Sequence, residues 1–166
     1  MKNILKRIFA VALCLITALP INTLAADEEP VLWHDVVLTD SQFQSILDLN
    51  PQDPNQTRAN DLIVSYNVAI NKDGSDLYVA AKLICSTTVE KCGFKKIAIQ
   101  RRIGSGYSWS DYCTYEKLYV EGSSYTTARM ITPPAGYQYR AVCTFYAKKN
   151  ILSTQTIELS SNMVTF

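Results

Sequence analysis

A chain of 166 residues with 16 basic and 15 acidic side chains has no charge excess that would draw it to nucleic acid. Its 48% hydrophobic and 19% charged residues place it with globular chains and exclude a disordered polymer. Ten Tyr and five Phe, with only six Gly and six Pro, favour strands over helices.

The N-terminus reads as an export signal. Lys2, Lys6 and Arg7 precede an apolar run over residues 8–19, Pro20 breaks it, and Thr23-Leu24-Ala25 offers small residues for cleavage. The run is too short to span a bilayer as a mature helix, and no second run of membrane length follows. Residues 1–25 are thus predicted to be removed, which makes the mature protein secreted, extracellular and without a membrane partner. Loss of those three cations leaves 13 basic against 15 acidic residues, a charge near −2. Cys14 leaves with the signal.

Residues 26–60 are acidic, broken by Pro and weakly periodic. Thr39-Asp40-Ser41-Gln42 has the spacing of a capping box, and Phe43, Ile46 and Leu47 follow at helical intervals, so one short helix is predicted. Asn50-Pro51-Gln52-Asp53-Pro54-Asn55 reads as a loop, because each Pro forces the preceding residue out of helical geometry. The segment is read as a polar, partly disordered leader, dispensable to folding and open to protease as far as Arg58.

From residue 61 the apolar period becomes two. Leu62, Val64, Tyr66, Val68 and Ile70 alternate with polar or small residues as in a half-buried strand, and Asn71-Lys72-Asp73-Gly74 turns the chain. Leu77, Val79, Ala81, Leu83 and Cys85 share a face of the second strand. Ile97, Ile99 and Ile103 mark a third, and Gly104-Ser105-Gly106 leads to Tyr107, Trp109, Asp111, Cys113 and Tyr115 on a fourth. The fifth covers residues 125–131. Pro133-Pro134-Ala135-Gly136 then introduces Tyr137, Tyr139, Ala141, Cys143 and Phe145, and residues 157–166 form the seventh. Seven short strands with turn signals at such intervals predict a single all-β domain over 61–166, an antiparallel seven-stranded β-sandwich.

Pro133-Pro134-Ala135-Gly136-Tyr137-Gln138-Tyr139-Arg140-Ala141-Val142 resembles the corner and sixth strand of fibronectin type III domains. Signal, polar leader, the Gly-Ser hairpin before Trp109 and the terminal Val164-Thr165-Phe166 together resemble small secreted proteins of unknown function from low-GC Gram-positive bacteria. That resemblance implies a fibronectin-III- or immunoglobulin-like fold and carries over no activity and no catalytic residue.

Four cysteines remain after cleavage, Cys85, Cys92, Cys113 and Cys143, and allow three pairings in an oxidising exterior. Cys85 and Cys143 have inward parity on the second and sixth strands, and in immunoglobulin-like domains those strands are often joined across the core. The resemblance therefore implies Cys85–Cys143, with Cys92–Cys113 flanking the third strand. The alternative, Cys85–Cys92 with Cys113–Cys143, joins strands that this order keeps apart. The spacing matches no zinc pattern. His34, the one histidine, stands in the leader, where no rigid shell would hold it against a nucleophile. Asn71-Lys72-Asp73-Gly74-Ser75-Asp76 lacks the alternating ligands and distal Glu of a calcium loop. Neither cofactor nor catalysis is predicted.

Two surface features point to binding. Tyr107, Tyr112 and Tyr119 are the hairpin rings that parity leaves outside the core, and rigid rings can stack on sugars or anchor peptides. Lys91, Lys95, Lys96, Arg101 and Arg102 form a basic group, joined by Arg140 if the third and sixth strands are neighbours. The predicted function is a secreted, disulfide-stabilised binding module for an unknown extracellular ligand, a glycan, wall polymer or protein. Tyr107, Tyr112 and Tyr119 would supply the rings, and Lys96 and Arg102 would orient the ligand. The competing expectation is a small extracellular enzyme or enzyme inhibitor with a site borne on loops.

Overall fold

A computed structural model describes residues 33–52 and 61–166, so the export signal lies outside the described residues. All strands are antiparallel and fall into two sheets of four. One sheet has the order β1 (His34–Asp35), β6 (Ser124–Ile131), β3 (Asp76–Cys85), β2 (Ile63–Asp73). The other runs β5 (Ser110–Glu121), β4 (Lys91–Arg102), β7 (Gln138–Asn150), β8 (Ser153–Thr165). The seven strands read from the period of two are β2 to β8. The described strands number eight, because two leader residues, His34 and Asp35, pair with Met130 and Arg129 at the edge of β6.

The core lies where the two sheets face each other. Val68 and Ile70 of β2, Leu77, Val79, Ala81 and Leu83 of β3, and Ile131 of β6 meet Phe94, Ile97 and Ile99 of β4 and Tyr139, Ala141, Cys143, Phe145 and Ala147 of β7. Phe94 and Phe145 are fully buried with centroids 5.6 Å apart, and each large side chain removed from water in this way contributes roughly 1.5–3 kcal/mol. β7 illustrates the cause most simply. Its odd-numbered residues from Tyr139 to Ala147 are all buried, so a period of two in the sequence becomes one apolar face.

Bulges break this simple parity at several points, among them β4 between Phe94 and Lys96, where Phe94 and Ile97 are both buried. The register of β2 shifts between Ile63 and Ser65, so Ile63 is buried and Val64 is 49% exposed, the reverse of the alternation expected there. The register of β5 shifts beside Asp111 and Cys113, so Tyr112 leans against the core. Ile103, expected on the third strand, lies past the end of β4 and is 63% exposed.

Side-chain amides of β8 and of the leader hold one margin of the two sheets. Asn162 accepts from the Ile70 N–H through Oδ1 at 2.9 Å and donates through Nδ2 to the Ile70 carbonyl at 2.8 Å. Gln155 Oε1 accepts from the Ile63 N–H, and Asn50 donates to the carbonyls of Val68 and Ser160. The edge of β2 is thereby satisfied without a neighbouring strand. At the β7 corner the hydroxyl of fully buried Tyr139 donates to the Pro134 carbonyl at 2.8 Å.

Residues 33–52 of the leader pack on the fold, where a loose segment dispensable to folding was expected. Helix α1 (Asp40–Leu47) starts at Thr39 with the capping box that the sequence predicts. It lies on the outer face of the first sheet, burying Ile46 and Leu47 against Ala69 of β2 and Ala80 of β3. Those two alanines explain the docking, since small side chains let a helix approach the sheet. On the other side of the leader, the Trp33 ring meets Tyr115 edge-on at 4.2 Å, and Asp35 pairs with Arg129 at 2.9 Å.

Two substitutions test these closures. Asn162→Ala strips the Ile70 backbone groups of their partners, and urea unfolding is expected to give a loss of roughly 1–3 kcal/mol at unchanged slope. Leu47→Ala leaves a cavity under α1 and is expected to cost roughly 2–5 kcal/mol in the same measurement. A leader that contributed nothing would leave the Leu47→Ala midpoint where the wild type has it.

Candidate functional site

The polar groups converge on the outer face of the second sheet, at the end of β4 and β5. The central strand β4 is paired with β5 on one side and β7 on the other, so its outward side chains alternate with those facing the core. Gln100 lies opposite Asp111 of β5 and Arg140 of β7, while Arg102 lies opposite Gln138. The third and sixth strands are thus neighbours, and Arg140 joins the basic group.

A continuous chain of contacts follows. Lys96 Nζ donates to Asp111 Oδ2 at 2.8 Å, and Gln100 Nε2 donates to Asp111 Oδ1 at 2.8 Å. Gln100 Oε1 accepts from Arg140 Nε at 2.9 Å. The Arg140 guanidinium lies 4.6 Å from the centre of the Trp109 ring, and that of Arg102 lies 4.4 Å from the same ring. Arg102 Nε donates to Gln138 Oε1 at 2.8 Å, and its terminal nitrogen reaches Met163 sulfur. One half-buried ring therefore holds two guanidiniums, each fixed at Nε by a glutamine. Among the described residues neither arginine has a carboxylate partner, whereas Lys96 is neutralised by Asp111. Cation–π contacts at such sites contribute roughly 0.5–1 kcal/mol each, and here they also set the direction of the forks.

The sequence-derived site residues separate in space. Lys96 and Arg102 lie on this face as expected. Tyr107 stands in the turn before β5 with 62% of its surface exposed. Tyr112 does not lie on the face: it packs on the core edge against Tyr139, with Arg101 over its ring. The bulge in β5 is the reason. Arg101 also faces Tyr137, on the inner side of β4. Tyr119 is outward but near the other end of β4, stacked on Tyr146 at 5.3 Å across Gly93, with Lys91 over its ring. Gly93 sits at φ +152 and an added Cβ would lie 2.1 Å from the Leu118 carbonyl oxygen, so no other residue fits beneath that ring pair. Trp109, Gln100 and Gln138 were not singled out as site residues. Trp109 shares its parity with Cys113 and Tyr115 in the sequence, and only the bulge between them reveals that it faces outward.

Among the described residues no two of Cys85, Cys92, Cys113 and Cys143 lie at bonding distance. The arrangement differs from the pairing implied by the immunoglobulin resemblance. β4 begins at Lys91, so Cys92 lies inside it opposite Val120, seven residues along β5 from Cys113. At strand rise that is roughly 23 Å, far beyond the reach of a disulfide. Cys143 lies four residues along β7 from Ala147, the partner of Cys92, and the thiol beside Cys85 is that of Cys92. Cys113 adjoins Trp33 instead, and burial pushes its thiol up to about 12.

Elsewhere, two hollows of about 450 and 660 Å³ flank residues 36–38, with polar residues such as Lys82, Thr126 and Asn71 among apolar ones such as Leu38, Phe43 and Tyr78. His34 is exposed on β1. No group of three His, Cys, Asp or Glu suited to a metal occurs among the described residues. No protein-family model, curated protein or solved structure matches this chain.

The hydrogen bond from Lys96, followed by that from Gln100, holds the Asp111 carboxyl below its ordinary value of 3.8. A carboxylate depressed in the folded state stabilises above its unfolded pKa and loses that contribution as pH falls through the folded one. Lys96→Met is expected to move the Asp111 titration, followed by carboxyl NMR, upward towards 3.8 while Trp109 fluorescence stays native. An unmoved titration would show that the ion pair does not form in solution.

Proposed function

We propose that this is a secreted β-sandwich of the fibronectin-III or immunoglobulin kind that binds an anionic extracellular ligand on the Trp109 face. Support for the fold assignment comes from the order β5-β4-β7-β8 facing β6-β3-β2, with β1 as an added edge strand. It comes also from Tyr139, whose hydroxyl bonds the backbone five residues upstream as in a tyrosine corner. Export rests on the signal in residues 1–25, and on that reading the ligand is one met outside the cell, such as an anionic wall polymer.

The observation that carries the binding reading is the pair of guanidiniums of Arg102 and Arg140 over one Trp109 ring, aligned by Gln138 and Gln100 and without described carboxylate partners. Two forks fixed at one ring suit phosphate or carboxylate oxygens and lose little freedom on binding. Neutral sugars are less well served, because the Trp109 ring that would stack on them is already engaged by the cations. Exposed Ile103, Tyr107 and Met163 border the arginines and offer apolar contact to the rest of a ligand.

Retention of the mature protein on immobilised poly(glycerol phosphate), compared with neutral glycan beads, tests the proposal. Wild type is expected to bind the polyanion and to elute with salt. The Arg102→Gln/Arg140→Gln pair is expected to bind at least roughly tenfold more weakly, each lost charge-assisted bond being worth about 1.5–3 kcal/mol. Tyr119→Ala, at the distant end of the sheet, is expected to bind as wild type. Equal retention by the double arginine variant, with a native melting temperature, would sink the assignment.

A further inference from the structure

β3 ends at Cys85 in one sheet and β4 begins at Lys91 in the other, so the intervening residues carry the chain from sheet to sheet. That connection is tightly tied: the Ser86 N–H donates to the Leu62 carbonyl, Val89 N–H to Ser86, and Glu90 N–H to Lys148. Both cysteines also lie against residues 120–123, the end of β5 and the start of its connection to β6. Cys85 N–H donates to the Ser123 carbonyl at 2.7 Å, while Cys92 is the register partner of Val120. Both are buried in the same core cluster, near enough for the Cys92 thiol to act on that of Cys85.

We infer that Cys85 and Cys92 form a disulfide that clasps the β3–β4 crossover, and that Cys113 and Cys143 remain thiols. The two side chains lie in one core cluster, seven positions apart in sequence across the crossover. Cys113 and Cys143 cannot follow suit. They pair with Ile99 and Ile97 on opposite sides of β4, which sets them two strand spacings apart, roughly 9–10 Å, with a strand between them.

Formation is a thiol–disulfide exchange with an external disulfide of the oxidising compartment. One cysteine thiolate attacks a sulfur of the oxidant and expels a thiolate, giving a mixed disulfide. The second cysteine thiolate then attacks the protein sulfur and expels the other half of the oxidant. The pair loses two electrons and two protons, and the external disulfide becomes two thiols. Burial pushes the Cys85 thiol up to about 12, with Cys92 beside it adding to the effect, so exchange belongs to the folding chain before the core closes.

The test is peptide mapping of the full chain, refolded in an oxidised glutathione buffer, alkylated and digested with trypsin without reduction. Cleavage after Lys82, Lys91 and Lys95 places Cys85 and Cys92 on separate peptides, 83–91 and 92–95. The expected product is these two peptides linked, two mass units below their sum, with Cys113 and Cys143 alkylated. Reductant is expected to lower the melting temperature of wild type by roughly 5–10 °C and to leave Cys85→Ser/Cys92→Ser unmoved. Alkylated Cys85 and Cys92, or either one linked to Cys113 or Cys143, would overturn the pairing. A melting temperature indifferent to reductant would overturn the clasp. Binding at the Trp109 face plays no part in either readout.

Discussion

Strand β4 is the element to which the rest of the molecule is referred. It is hydrogen-bonded along its length on both sides, to β5 and to β7, and it carries one chemistry on each face. Inward, Cys92, Phe94, Ile97 and Ile99 are buried against the opposite sheet. Outward, Lys96, Gln100 and Arg102 meet the polar side chains of both neighbours. A one-residue slip of β4 would turn the isoleucines to solvent and bury the arginine and lysine, which the core cannot accommodate. That penalty locks the register, and the register in turn brings Gln100 between Asp111 and Arg140. The polar site is therefore a consequence of core packing on the reverse of the same strand.

The ends of β4 do different work. Its last residues, with the start of β5, support Trp109 and the two arginines. Its first residues hold Cys92 beside Cys85 and place Gly93 beneath the Tyr119 and Tyr146 rings. Ten residues of strand separate Cys92 from Arg102, roughly 33 Å at strand rise, so the cysteines and the arginine cluster occupy opposite ends of the sheet. The end nearer Trp109 has loop residues in solvent, among them Ile103 and Tyr107. The other end is tied by backbone hydrogen bonds from Glu90 to Lys148 and from Gly122 to Glu90.

The leader shows how a segment of poor composition is recruited. Its charge and prolines suggest a tail, yet Ile46 and Leu47 need only two alanines to rest on, Ala69 and Ala80, and these lie on the outer face of strands whose inner face forms the core. Alternation had marked the inner face correctly and said nothing of how close a helix could approach the outer one. In the same way, the Trp33 ring meets Tyr115 of β5 from a strand of two residues.

The chain alone determined what is local. Alternation marks each of β2 to β8, Asp73 with Gly74 marks the first hairpin turn, and the Thr39 box marks the start of α1, because each depends on neighbours within a few residues. It also supplied the inward parity of Cys85, Cys143 and Tyr139, and the grouping of Lys96 with Arg102. Only the tertiary structure decided which cysteines lie near one another, which rings face outward and which cations share a face. Those depend on where bulges fall at Val64 and Tyr112, on the register of β4 against two partners, and on the added edge strand. A bulge changes parity without changing composition, and register is chosen by the summed packing of residues that lie far apart in sequence. Neither quantity is carried by any short stretch of the chain.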